Sequence, residues 1–156
     1  MSGFLLDTNV ISELIKPRPE SCVTTWIEET DESLLYLSVL TLGEIRRGIA
    51  ALPKARRRTS LEAWLESDLR TRFHRRVLPI DEDVADRWGL LTAQAQTKGV
   101  VVPVTDGLLA ATALKHNLTF VTRDTGSIAV VGVSVFNPWE RADDRLRQKT
   151  AAESGH

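Results

Sequence analysis

Short apolar runs that alternate with longer amphipathic stretches dominate this chain and leave few folds open to it. Phe4 to Leu6 is an apolar run ending at Asp7, and TNVISELIK after it reads as a helix start that Asp7 or Asn9 can cap. Lys16-Pro-Arg-Pro19 breaks that helix, and Glu20 to Glu29 forms a second, with Val23, Trp26 and Ile27 on one face. Leu34 to Ser38 is the second strand, and Thr41 to Leu52 a helix with Leu42, Ile45, Ile49 and Leu52 on one side. Past Pro53 a charged helix carries Leu61, Trp64, Leu65 and Leu69 to about Phe73. Arg76 to Ile80 is a strand whose Pro79 suits a sheet edge. Glu82 to Lys98 is a long helix closed by Gly99, and Pro103 to His116 another, closed by Asn117. Leu118 to Thr122 and Val133 to Phe136 complete five strands. Strands alternating with helices imply an α/β domain with a mainly parallel sheet. In such sheets ligands bind beyond the carboxyl ends of the strands.

Four acids stand at those handovers from strand to helix: Asp7, Glu44, Asp106 and Asp124. Each has a plainer reading alone. Asp7 and Asp106 suit helix caps, Glu44 favours a helix dipole, and Asp124 in TRDTG suits an Asx turn. Together, if the first and fourth strands are neighbours, they share one crevice. Four carboxylates in one pocket do not all stay ionised without a cation, so the set predicts a divalent-metal site and phosphate chemistry. Oxygen-only donors suit Mg²⁺ or Mn²⁺ rather than zinc, and His74, His116 and His156 form no ligand motif. Two ions about 3.5–4 Å apart would clamp the attacking and leaving oxygens of a phosphodiester displacement.

Bulk properties narrow the partners. A chain of 156 residues with 42% hydrophobic and 26% charged residues fits one domain with a proper core. The net charge of −1 signals no global affinity for polyanions, so any nucleic-acid contact must come from local basic patches. Arg46, Arg47 and Arg123 adjoin the acids and are the candidates for contact with a nucleic-acid backbone. The runs Lys54 to Arg58 and Arg70 to Arg76 either track a nucleic acid or are solvated faces or partner-binding surfaces. Cys22, a lone cysteine, has no internal disulfide partner, and with no apolar stretch of bilayer length the expectation is a cytoplasmic protein without a membrane partner. Trp26, Trp64 and Trp88 lie at core spacing, and Trp139 is expected to anchor the C-terminus. The polar tail, residues 141–156, is set apart from a folded domain over residues 1–140.

The phrases around the acids carry a resemblance. LLDTNVISEL, LSVLTLGEIRRGIAAL, DGLLAATALKHNLTFVTRDTG and VFNPW, in this order, resemble the PIN-domain ribonucleases, in particular toxins of the VapC and FitB type, with the FitB-like wording the nearer. The resemblance spans about Phe4 to Trp139 and implies a three-layer α/β/α PIN domain with a mainly parallel five-stranded sheet. It implies a toxin of a type II toxin–antitoxin module that hydrolyses RNA through a metal-activated water, with Asp7, Glu44, Asp106 and Asp124 binding Mg²⁺ or Mn²⁺. Thr8, Asn9, Ser38, Thr41, Thr112 and Thr122 match its supporting polar positions, with Asn9 orienting Asp7. Asp124 stands where many VapC-type members have Asn, and Ser127 and Ile128 stand at their later Asp and Phe positions.

The implied partners are a cognate antitoxin, an RNA substrate, operator DNA reached through the antitoxin, and a second copy in a homodimer that becomes a heterotetramer or larger with antitoxin. The helix carrying Leu61 and Trp64 is either core or the face that receives an antitoxin helix. Two other functions remain as alternatives: a DNA-directed, flap-type nuclease, and a weakly catalytic binding protein acting mainly in an antitoxin–operator complex.

Overall fold

In the computed structural model, which describes residues 2–126 and 128–140, the elements alternate as the pattern implies. They are β1 (Phe4–Leu6), α1 (Thr8–Leu14), α2 (Ser21–Glu29), β2 (Leu35–Ser38), α3 (Val39–Ala50), α4 (Arg56–Ala63), α5 (Arg70–Arg72), β3 (Val77–Leu78), α6 (Glu82–Thr97), α7 (Val104–Lys115), β4 (Thr119–Val121) and β5 (Val135–Phe136). A π-helical turn, Trp64–Leu69, joins α4 to α5. The tail, residues 141–156, and Ser127 lie outside the described residues.

All five strands are parallel, in the order β3-β2-β1-β4-β5. The chain builds outward from β1 to β3, then returns to the other side of β1 for β4 and β5. The reversal between β1 and β4 is a topological switch point, where a crevice opens at the carboxyl ends. Register there is set by Leu5 opposite Phe120 and Leu6 opposite Val121.

Strand periodicity divides the interior into two cores. Leu6, Leu35, Leu37 and Val121 face one side, where they pack with Val10, Ile11, Trp26, Ile45, Ile49, Leu65 and Leu69. Leu5 and Phe120 face the other, against Val84, Leu91, Leu109 and Ala110. Helices α1 to α5 thus cover one face and α6 and α7 the other, giving the expected three layers. Gly99 and Asn117 take the positive φ values, 72° and 53°, that end α6 and α7.

Differences from the sequence pattern are local. Helix α3 begins at Val39 rather than Thr41, because Ser38, the last residue of β2, is also its N-cap, its Oγ accepting the Leu40 N–H at 3.1 Å. β3 keeps only two residues and lies at the sheet edge, since Pro79 has no N–H for the ladder. The helix after Pro53 is interrupted by the π turn, which still buries Leu65 and Leu69. Leu61 and Trp64 are half-buried against the first core.

Candidate metal centre and its cleft

Asp7 is the first residue past β1, and its N–H donates to Val121 O at 2.9 Å, so the strand ends β1 and β4 are pinned together at the switch point. As N-cap of α1, Asp7 accepts the Thr8 N–H at Oδ1, 2.7 Å. Its Oδ2 accepts the Thr122 hydroxyl at 2.8 Å. That hydroxyl is a hub: it also accepts Asn9 Nδ2 at 3.3 Å and the Asp124 N–H at 3.1 Å. On the other side, Thr8 Oγ1 donates to Glu44 Oε1 at 2.9 Å, which couples α1 to α3. Asp106 enters from the opposite layer, in the first turn of α7, whose N-cap is Pro103.

Asp7, Glu44 and Asp106 share the wall of one open cleft of about 430 Å³ with Thr8, Asn9, Ser12, Glu13, Lys16, Arg123 and Trp139. Burial raises the proton affinity of Asp7, and the charges of Asp106 and Glu44 add to it, against the hydrogen bonds from Thr122 and Thr8. Burial also raises that of Asp106, followed by the charges of Asp124 and then Glu44. Asp124 is exposed and outside the cleft wall, so it acts on the set through its field. Among the described residues, no three Asp, Glu, His or Cys side chains close on one point as a finished metal cage. Asn9 Oδ1 is a buried acceptor with no hydrogen-bond partner among the described residues. A buried acceptor of this kind calls for a water or an ion.

The other expected positions fall in varied places. Asn9 reaches Asp7 only through Thr122, because its amide donates to the hydroxyl rather than to the carboxylate. Ser38 caps α3, the helix that carries Glu44. Thr41 is buried with its hydroxyl unpartnered among the described residues, and Thr112 donates to Leu108 O of its own helix at 2.7 Å. Arg46 is ion-paired with Glu66 of the π turn, and neither Arg46 nor Arg47 lines the cleft, whereas Arg123 does. The basic runs hold structural pairs: Arg58 with Glu62, Arg70 with Glu66, and Arg72 and Arg76 with Glu32.

Sequence reasoning missed Ser12, Glu13 and Lys16 as cleft residues. Only Ser12, four residues on from Thr8, carries a helical-spacing signal; Lys16 lies past the end of α1 and is held by its ion pair with Glu13. Trp139, expected as an anchor, packs against the first core and also lines the cleft.

Fold and acid positions together define a three-layer α/β domain with an acid-lined cleft at the switch point of a parallel sheet. The PIN domain family matches residues 4–133, and the chain belongs to that family. It is 44% identical over 138 residues to "VapC ribonuclease Y4jK" of Sinorhizobium fredii, covering 88% of this chain and 99% of the relative. It is 42% identical to "Toxin FitB" of Neisseria gonorrhoeae, covering 86% and 97% of the two chains. Among solved structures, "FitAB bound to IR36 DNA fragment" superimposes with a TM-score of 0.84 at 40% identity, covering 87% of this chain and 95% of that one.

Proposed function

We propose that this chain is the toxic ribonuclease of a type II toxin–antitoxin pair, hydrolysing RNA phosphodiesters with Mg²⁺ or Mn²⁺ held by Asp7, Glu44 and Asp106, with Asp124 acting at their edge. The observation that carries the reading is the meeting of three carboxylates from three separate elements in one cleft at the switch point. Burial first, and the neighbouring carboxylates after it, disfavour the ionised forms of Asp7 and Asp106, and a bound cation would favour those forms again. All-oxygen donors fit a hard divalent ion, and Asn9 Oδ1 offers one more acceptor beside them. When bound, such an ion supplies Lewis-acid stabilisation of the phosphate and activates a water for attack.

The residues around it have separable tasks. Thr122 and the Thr8 N–H fix the Asp7 carboxylate, and the Thr8 hydroxyl fixes Glu44. Arg123 on the cleft wall supplies positive charge for an RNA phosphate. The names of the relatives, a VapC ribonuclease and a toxin, support the activity and the biological role. The DNA-bound FitAB neighbour supports an antitoxin partner and operator DNA reached through it. A homodimer in the cytoplasm, assembling into a heterotetramer or larger with antitoxin, completes the reading; among the described residues no helix is long and apolar enough to cross a membrane.

The test is cleavage of total cellular RNA by the isolated chain with Mg²⁺ or Mn²⁺, beside Asp7→Asn. Expected are metal-dependent cleavage by the native chain, its loss in the variant, and a metal-induced rise in melting temperature confined to the native chain. Equal cleavage by the variant, or cleavage in the presence of EDTA, would sink the site.

A further inference from the structure

Helix α6 turns one face inward and buries Val84, Leu91 and Ala95. On its other side Leu90, Ala93, Gln94 and Thr97 follow at i, i+3, i+4 and i+7, and all four are exposed. A solvated helix face ordinarily carries charges. Here, from Trp88 to Thr105, Lys98 is the single charged residue, in a chain that is 26% charged. Leu90 is 61% exposed, Val101 in the link to α7 is 85%, and Val104, the first residue of α7, is 59%. Loss of charge around bare aliphatic side chains marks the core of an interface rather than a solvated face.

Two charges bracket this face. Asp86 lies one turn before Leu90 and Lys98 directly after Thr97; both are exposed, and neither has an ion-pair partner among the described residues. Their neighbours do, Arg87 with Asp83 at 3.4 Å and Lys115 with Asp81. At 1.5 Å rise per residue, Asp86 and Lys98 stand about 18 Å apart along the helix. A second copy with its α6 antiparallel to the first, about a twofold axis, sets Leu90 of each on Ala93 of the other and brings each Asp86 to the other's Lys98. Parallel pairing would set like charges together. The face is thus complementary to itself, which singles out a second copy of this chain as its occupant.

The same face adjoins the acids. Gly107 sits against Trp88, so α7 runs back along α6 with Val104 beside its second half. Asp106, two residues on from Val104, lines the cleft, and its carboxylate enters no hydrogen bond among the described residues. Given the metal centre and the homodimer proposed above, we propose that the two copies meet through Leu90, Val101 and Val104, and that this contact seats the first turn of α7, so that Asp106 is held more firmly in the dimer than in the single chain. Cation binding and dimerisation then favour each other by the same factor.

The experiment is sedimentation velocity of the full chain over a range of concentrations, with and without Mn²⁺, beside Asp86→Lys, Lys98→Glu, the double exchange of both, and Leu90→Glu. Expected is a native dimer whose dissociation constant rises about tenfold in each single exchange and returns to the native value in the double one, which a misfolded chain would not do. Leu90→Glu is a monomer at concentrations where the native chain is a dimer. The midpoint of the Mn²⁺-induced rise in melting temperature moves about fivefold higher in Leu90→Glu and stays native in the double exchange, whose net charge is unchanged. A native chain that stays monomeric, or a double exchange as weak as the single ones, overturns the face. Equal Mn²⁺ midpoints in monomer and dimer overturn the seating. If Mn²⁺ leaves the melting of the native chain unchanged, the metal reading falls and the seating with it, while the charge exchanges still judge the face.

Discussion

Thr122→Val is the sharpest probe of how the site is held. Thr122 is fully buried, and valine has nearly its shape, so the change removes a hydroxyl without opening a cavity. Three hydrogen bonds go with it. The bond to Asp7 Oδ2 ends on a charged group and is worth about 1.5–3 kcal/mol, and the Asn9 amide loses a partner worth about 1 kcal/mol. Asp124 is exposed, so water replaces the third bond at little cost. The extra methyl returns about 0.8 kcal/mol of burial. The metal-free chain should thus lose about 2–3 kcal/mol at neutral pH. Its Asp7 carboxylate, no longer oriented, should bind Mn²⁺ about 10–100-fold more weakly.

Urea unfolding of native, Thr122→Val and Thr122→Ser chains measures the first effect, and the midpoint of the Mn²⁺-induced rise in melting temperature measures the second. Thr122→Ser keeps the hydroxyl and gives up only a methyl, about 0.8 kcal/mol or more if a void remains. It should therefore retain the native metal midpoint. If the Val and Ser variants have equal stability and equal Mn²⁺ midpoints, the hub reasoning is wrong.

Two further outcomes follow from the geometry. The folded-state pKa of Asp7 lies above its ordinary 3.8, through burial first and then Asp106 and Glu44, so the folded state binds the proton more tightly. Its stabilising effect is present at low pH and is lost as pH rises from about 3.8 through the raised folded value, and Asp106 acts in the same direction. Asp7→Asn should therefore make the metal-free chain more stable at pH 7, with the gain shrinking on acidification; thermal melts at pH 4 to 7 showing a loss that does not change with pH would contradict this. At Gly107, an added Cβ would come within 2.8 Å of Trp88 Cδ1 and 2.9 Å of its Nε1, both in a rigid indole. Gly107→Ala should cost about 1–3 kcal/mol in urea unfolding, and an unchanged midpoint would show that the α6–α7 contact yields more easily than its packing implies.

The strands were legible because each is a short apolar run whose alternate residues feed two different cores; Leu5 and Leu6 alone state that the sheet is covered on both faces. Their ends were less legible. Ser38 ends β2 as expected, but its cap bond to Leu40 starts α3 at once, at Val39 rather than Thr41. The acids were legible because strand ends in a parallel sheet are where ligands bind. The connections among them were not. That Thr122 serves Asp7, Asn9 and Asp124 at once depends on β1 lying beside β4, and no local pattern encodes which strands become neighbours. The rotation of α1 that brings Ser12, Glu13 and Lys16 onto the cleft is likewise set by burial of Val10 and Ile11 in the first core.

The strand order explains why this one place carries the chemistry. Because β1 is central, the residue that follows it must emerge between the two helical layers, and its N–H bond to Val121 O keeps it there. Glu44 lines the same cleft from α3, which packs against the first core, and Asp106 from α7, which packs against the second. The distances among the three acids are therefore set by both cores at once. The Ser38 cap starts the helix of one acid, and the close approach of Gly107 to Trp88 seats the helix of another immediately beside Asp106. A substitution in either layer shifts one carboxylate relative to the other two, whereas Thr122 and Thr8 hold Asp7 and Glu44 to the shared end of β1. Asp106 has no such tether among the described hydrogen bonds, so its place depends on the seating of α7. For that reason Gly107→Ala, though it changes no polar atom, should disturb cation binding as well as stability.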